Sequence, residues 1–324
     1  MKVETKRLLY GMVQGESLAI AVALALLLVA MLMPPFNVAR TTWSYIVFFD
    51  ITQSMNVEDY EIDGRPASRL AYARYAFREA LRELPCGSSV GLGIFTEYRT
   101  LLLMTPIEVC DNYHELLVSL GYIDGKMRWR DSSEVTKGVF WSIRASKELG
   151  QDSRVVFLTD GHEAPPLRRS GRPNFSDIEP GEVPGWLIGV GGYTPRPIPR
   201  TDGEGNQSGY WRAEDVVQSK PDSSQGSQPP GREHLSGLRE AHLQALAQQV
   251  GFNYARLSQP ASLRDAMLDR RYAERKQVPT DLSWLPASIA LLLLALRFRP
   301  DIAQIRRVRA PWKTRRSLES KDRG

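Results

Sequence analysis

Cysteine and histidine are scarce in this chain, with two of the first and four of the second in 324 residues. So few soft ligands leave no Cys-x-x-Cys redox pair and no Cys/His zinc spacing. There is no Gly-x-x-x-x-Gly-Lys-Ser/Thr loop, which removes the common phosphate-cradling motif. Internal repeats are absent. Positive charge is also missing where a nucleic-acid surface would need it. Residues 284–324 carry ten Lys/Arg and three Asp/Glu, a net of +7, and residues 1–34 carry +1. Against the whole-chain +5 this leaves −3 for residues 35–283, so the central part shows no nucleic-acid signature.

Two long apolar runs stand at the ends. Leu18 to Met33 holds no charge and is followed by Pro34-Pro35, so residues 17–34 read as a transmembrane helix near the short end of the ~17–25 residues required. A cleaved signal peptide is the rival, but its apolar core is usually ~7–15 residues, and no small-x-small site follows here. Trp284 to Leu296 is shorter, with an aromatic residue at one edge and Arg297-Phe298-Arg299 at the other. Residues 284–298 read as a second, interface-anchored span, with a buried core helix as the alternative. Lys2, Lys6 and Arg7 precede the first run, and the tail over 299–324 is basic. By the positive-inside rule, residues 1–16 and 299–324 are cytoplasmic. The middle then faces the periplasm from the inner (cytoplasmic) membrane.

In that oxidising compartment Cys86 and Cys110 are a candidate disulfide, against the alternative of two unrelated thiols. Cys86 precedes the strand Val90–Thr96 and Cys110 follows the strand Thr100–Met104. A hairpin over Glu97-Tyr98-Arg99 would bring the two together at its open end.

The centre of the chain is Tyr45-Ile-Val-Phe-Phe49, a run that reads as a strand buried on both faces. It ends in Asp50-Ile-Thr52-Gln-Ser54, which can direct three oxygens at one point. Two readings fit these residues on their own: caps for the next helix, or hard oxygen ligands for Mg²⁺, Mn²⁺ or Ca²⁺. Downstream, a polar loop spans 56–66, and helical spacing covers Ser68–Leu84, Asp111–Leu120, Glu134–Leu149, Leu235–Val250 and Ser262–Tyr272. Arg154–Thr159, Trp186–Val190 and Asn253–Leu257 read as strands, and residues 200–232 as a flexible insertion. The alternation predicts an α/β, doubly wound and mostly parallel sheet. Ligands sit beyond the carboxyl ends of such strands, where both Asp50 and Asp160 stand.

These residues carry a resemblance. Asp50-Ile-Thr52-Gln-Ser54 with Leu158-Thr-Asp160-Gly161 resembles the metal-ion-dependent adhesion site of von Willebrand factor A (vWA) domains, with Thr52 in place of a serine. The likeness covers residues 42–272. The family's second-loop threonine aligns with Ser132-Ser133-Glu134-Val135, which implies Ser133 as a ligand, with Glu134 or Thr136 as substitutes. Gly189 to Pro199 and Leu238 to Tyr254 resemble bacterial membrane-anchored vWA proteins of the Bat type. Asp50 to Tyr60 is similar to the MxaL proteins of methylotroph gene clusters for methanol dehydrogenase.

The resemblance implies a divalent ion on Asp50, Thr52, Ser54, Ser133 and Asp160, its shell completed by an acidic residue of a protein partner. It further implies a non-enzymatic role in maturing periplasmic methanol dehydrogenase, with calcium insertion as one form. A Bat-type envelope scaffold among sister vWA proteins is the alternative, and a metal-dependent hydrolase is a third reading. No general base stands out: His162 and Glu163 are one adjacent pair, while His114, His234 and His242 read as surface residues. Trp129, between Arg128 and Arg130, is a candidate partner contact, and Trp141 reads as helix core.

Overall fold

The computed structural model describes residues 18–150, 153–166, 178–217 and 232–298. The chain divides into two compact units, Ala39–Gln277 and the flanking segments from Met1–Val38 and Val278–Gly324.

The first unit is built on β2 (Ser44–Asp50), which is buried along its whole length. Side chains alternate across a strand, and here each face finds its own core. Tyr45, Val47 and Phe49 enter one apolar cluster and Ile46 and Phe48 the other. The first cluster is closed by α2 (Arg69–Glu83), α3 (Tyr113–Tyr122) and α6 (Pro260–Met267), through Phe77, Leu116, Leu120 and Met267. The second is closed by α4 (Val135–Glu148) and α5 (Glu240–Val250), through Val139, Ile143, Leu243 and Leu246. Ser68 caps α2 by accepting the Ala71 N–H at 3.2 Å.

β2 pairs in parallel with β5 (Ser89–Thr96) and with β7 (Arg154–Thr159). β8 (Gly185–Gly189) and β13 (Asn253–Arg256) continue the parallel set beyond β7. β6 (Arg99–Glu108) closes the other edge antiparallel to β5, giving the order β13-β8-β7-β2-β5-β6. This is the doubly wound, mostly parallel sheet expected, and it fits a vWA-like fold. The β5–β6 hairpin also joins its cysteines: Cys86 and Cys110 form a disulfide with Cα atoms 5.2 Å apart.

Three expectations change. The stretch over 56–66 is a hairpin, β3 (Glu58–Ile62) with β4 (Arg65–Ser68), and not a loop. The helix expected from Leu235 starts at Glu240, because Leu235–Ser236 forms β12 and pairs with β9 (Arg196–Pro197). The helix expected to Tyr272 ends at Met267 and is followed by a 3₁₀ turn, Arg270–Tyr272. Within 200–232, the described residues include the hairpin of β10 (Pro199–Thr201) with β11 (Gln207–Tyr210). Residues 218–231 lie outside the described set, as do 1–17 and 299–324 with their basic residues.

β1 (Phe36–Thr42) and β14 (Glu274–Thr280) pair with each other as the chain enters and leaves the sheet domain. The flanking unit contains α1 (18–32) and α7 (Trp284–Arg297). Among the described residues no helix is long and apolar enough to cross a membrane, so the two spans placed at 17–34 and 284–298 are described only as these shorter helices. Both are apolar and largely exposed. Leu24, Leu28, Met31 and Leu32 on α1, and Ile289, Leu291 and Leu292 on α7, stand open, while Ala23 and Ala290 are buried.

Candidate metal centre

Asp50 is the last residue of β2 and Asp160 follows β7, so two adjacent parallel strands deliver both carboxylates to the same edge of the sheet. Gly161 then turns with φ at +75°, a conformation that favours glycine.

Asp50 is fully buried. Its Oδ1 accepts the Thr52 hydroxyl at 2.6 Å and the Thr52 N–H at 2.9 Å, and its Oδ2 accepts the Thr159 hydroxyl at 2.6 Å. The Thr52 hydroxyl lies 3.3 Å from that of Ser54. A hydroxyl has one proton and two lone pairs, so Thr52 keeps acceptor capacity after donating to Asp50.

Ser133 reaches the same place from a distant loop. Its backbone exchanges hydrogen bonds with Ala164 at 2.7 and 2.6 Å, pinning it beside the segment that follows Asp160. Its Oγ is buried without a hydrogen-bond partner. Thr52, Ser54 and Ser133 line one cavity of about 220 Å³, together with Gln53, His162 and Trp211. The two substitutes for Ser133 are engaged elsewhere. Thr136 donates its hydroxyl to Glu163 at 2.6 Å, and Glu134 pairs with Lys137 at 2.5 Å.

Asp160 stands beside this cluster with both oxygens committed. Its Oδ1 accepts the His162 N–H at 2.9 Å, and its Oδ2 accepts Arg69 Nη1 at 2.6 Å and the Ser236 hydroxyl at 2.7 Å. Arg69 is fully buried and also pairs with Asp59 at 2.7 Å. The structure thus lines the cavity with Thr52, Ser54 and Ser133, keeps the fully buried Asp50 hydrogen-bonded to Thr52, and holds Asp160 as the counter-ion of Arg69.

The electrostatics follow from that division. Burial, and then the charge of Asp160, push the Asp50 carboxyl up to about 7, against the opposing hydrogen bonds from Thr159 and Thr52. Burial acts in the same sense on Asp160 and is its largest single influence. Arg69, His162 and the donors from Ser236 and the His162 backbone outweigh it and hold that carboxyl below its usual range. Burial pushes His162 down, which favours the neutral imidazole. An ionised Asp50 therefore has too few charges of opposite sign around it, and a cation in the cavity would supply one. A donor set made only of carboxylate and hydroxyl oxygens suits a hard divalent ion such as Mg²⁺, Mn²⁺ or Ca²⁺. Elsewhere among the described residues, Cys86, Glu108 and Cys110 bring ligand atoms within 4.8 Å of one another. The sulfurs are consumed by the disulfide, and Glu108 accepts the backbone N–H groups of Gly87 and Asp111.

Several participants escape a local reading. Thr159, Ser236 and Arg69 are contributed by three separate elements. Arg69 did leave a signal, since it falls at helical spacing with Ala73, Ala76 and Ala80 on the apolar stripe of α2. His242, expected at the surface, approaches Glu163 at 3.2 Å. Trp141 is only half-buried and lies under the guanidinium groups of Arg99 and Arg144, so it is not helix core. Trp129 is exposed as expected, and its indole N–H donates to Glu97 at 3.0 Å.

The chain matches no protein-family model and no curated protein. Among solved structures it is similar to an aerotolerance-related membrane protein from Bacteroides fragilis, with 17% identity over 69% of this chain and 95% of that one, at a TM-score of 0.46. It is similar to VWA2, the ArnB paralog from Sulfolobus acidocaldarius, with 12% identity over 71% of this chain and 45% of that one, at 0.34. A von Willebrand factor type A protein from Catenulispora acidiphila shows 11% identity over 78% of this chain and 50% of that one, at 0.37.

Proposed function

We propose that the protein is a membrane-anchored vWA protein that holds a divalent cation on Asp50, Thr52, Ser54 and Ser133 and uses it to bind a protein partner. The observation that carries this reading is the buried, unpartnered Oγ of Ser133, a residue that lines the same cavity as Thr52 and Ser54. A buried polar oxygen left without a partner is costly, and a shared cation accounts for it. When bound, the ion would offer an open coordination position to a carboxylate of the partner. Asp160, fixed by Arg69 and Ser236, would support the site from behind.

The reading is one of binding and not of catalysis. Glu163, one of the two acid–base candidates, holds Thr136 and meets His242 through Oε1 and is not among the residues that line the cavity. The exposed apolar faces of α1 and α7 support an anchor in a bilayer, with the sheet domain on the periplasmic side. The likeness of Asp50 to Tyr60 to MxaL proteins supports a place in the maturation of periplasmic methanol dehydrogenase, with calcium insertion as the form in which the ion itself is delivered.

The test is calorimetric titration of Mg²⁺, Mn²⁺ and Ca²⁺ into the detergent-solubilised chain and its Asp50→Ala and Ser133→Ala variants. We expect Asp50→Ala to weaken binding at least tenfold while the unfolding transition stays cooperative. Unchanged affinity in both variants would remove the site. A pull-down from native membranes with metal, then with EDTA, addresses the partner. Methanol dehydrogenase components released by EDTA support the maturation role, and sister vWA proteins support a Bat-type scaffold. Metal-dependent hydrolysis abolished by Asp50→Ala would replace binding with catalysis.

A further inference from the structure

Beside the hydroxyl-lined cavity lies a second cleft of about 360 Å³ that shares two of its walls, Gln53 and Asp131. One side is the loop over 125–131 and the other is the β10–β11 hairpin. The two are tied together by residues that have no charge left to offer. Arg128 donates Nε to Asp131 at 2.9 Å, Nη1 to the Gly125 carbonyl at 3.1 Å and Nη2 to the Thr201 carbonyl at 3.1 Å. Gln53, the variable residue of Asp50-x-Thr-x-Ser54, lines both cavities. It accepts the Thr201 N–H at 3.0 Å and the Trp211 indole N–H at 2.9 Å, and donates to Asp131. The cleft is therefore a braced structure and not a gap between loose loops.

Its charges are asymmetric once these bonds are counted. Arg128 and Asp131 neutralise each other. Asp202 accepts the N–H groups of Glu204 and Asn206 at 2.9 and 2.8 Å, within its own turn, which hold it as an anion, so the lining sets three arginines against two aspartates. The cations left open are Arg130 and Arg200. Arg130 is 71% exposed and meets Glu97 only at 3.8 Å. Arg200 is exposed and lies 4.8 Å over the Trp211 ring, a cation–π placement that orients it without neutralising it. Trp129 adds an exposed ring between Arg128 and Arg130. Arginine with tryptophan is the composition of an energetic centre in a protein interface, and the fork of a guanidinium matches a carboxylate.

We infer that this cleft receives a second acidic side chain of the partner, so that the ligand is an acidic peptide segment read at two points, the hydroxyl cluster and the arginine cleft. The inference rests on the proposed metal-dependent binding, and it specifies the chemistry of the partner.

The test is fluorescence anisotropy of labelled hexaglutamate and hexaglutamine peptides on the full chain in detergent, with Mg²⁺ and with EDTA. Hexaglutamate is expected to bind with Mg²⁺ and hexaglutamine not to bind. The Arg130→Glu/Arg200→Glu double variant is expected to lose about tenfold in hexaglutamate affinity while its Mn²⁺ affinity and melting temperature stay the same. Equal hexaglutamate binding by the double variant, or none by the native chain, would overturn the inference. Hexaglutamate binding that needs the two arginines but survives EDTA and Asp50→Ala would keep the cleft and remove the metal site. A single-stranded oligonucleotide that outcompetes hexaglutamate would overturn the assignment to an acidic peptide.

Discussion

Arg69 carries two buried ion pairs at once. It is a guanidinium with no exposure, placed between Asp59 and Asp160 and bonded to Ser236 as well. Removing one partner of a buried ion pair leaves an uncompensated charge and costs roughly 3–5 kcal/mol, more than the pair contributes when intact. Arg69→Ala should therefore lower unfolding free energy by about that amount in urea titration. Asp160→Asn added to it should cost much less than it does alone, because the charge it removes is by then unpaired. Strict additivity of the two would show that Arg69 and Asp160 act independently. Little of this pair was legible in the chain, since 91 residues separate its members. Asp50, Thr52 and Ser54 were legible because their convergence is local, a strand end followed by a single turn. Ser133 could be placed only by analogy with a family pattern, and its orphaned oxygen became visible only in three dimensions.

Among the elements, β2, β7 and α2 could be read directly, since an apolar run bounded by polar turns leaves little choice of structure. The β3–β4 hairpin was missed although its signal is present. Asp63-Gly64 places both residues at positive φ, 51° and 74°, as the tight hairpin turns that favour Asp-Gly require. The four acids Glu58, Asp59, Glu61 and Asp63 give the stretch the polarity of a loop and hide its strand alternation. The start of α5 was misplaced for a different reason. Leu235 and Ser236 precede α5 in sequence, yet pairing with β9 and the bond from Ser236 to Asp160 hold them extended. The β5–β6 hairpin is the element whose stability can be isolated. Its Cys86–Cys110 link closes a loop with a sequence separation of 24, and loops of this size are worth about 3 kcal/mol in the chain-entropy model. The double variant Cys86→Ser/Cys110→Ser should lose ~2–4 kcal/mol in urea titration, and dithiothreitol should shift the native chain by a similar amount. A native chain indifferent to dithiothreitol would show that the link adds nothing to the packing of the hairpin.

Taken as a whole, the molecule joins a sheet domain that buries its own apolar surface to flanking helices that do not. Both cores of the sheet domain lie within Ala39–Gln277. At 1.5 Å per residue, the fifteen residues of α1 and the fourteen of α7 reach about 22 and 21 Å, against roughly 30 Å of hydrocarbon. Among the described residues, then, no helix is long enough to cross a bilayer, and the anchoring we propose rests on surface chemistry. Leu, Val and Met side chains stand open along α1, and α7 runs from Trp284 to Arg297 with leucines exposed between them. Soluble monomers rarely expose apolar patches of this kind without a partner for them. The full chain should therefore stay with the membrane pellet after alkaline carbonate extraction. A chain of residues 39–277 should stay in the supernatant with its cooperative unfolding retained, because the residues that close its two cores are all present. Recovery of the full chain in the carbonate supernatant would sink the anchor. The apolar helices would then have to be covered by protein, and the metal site would belong to a complex assembled through them.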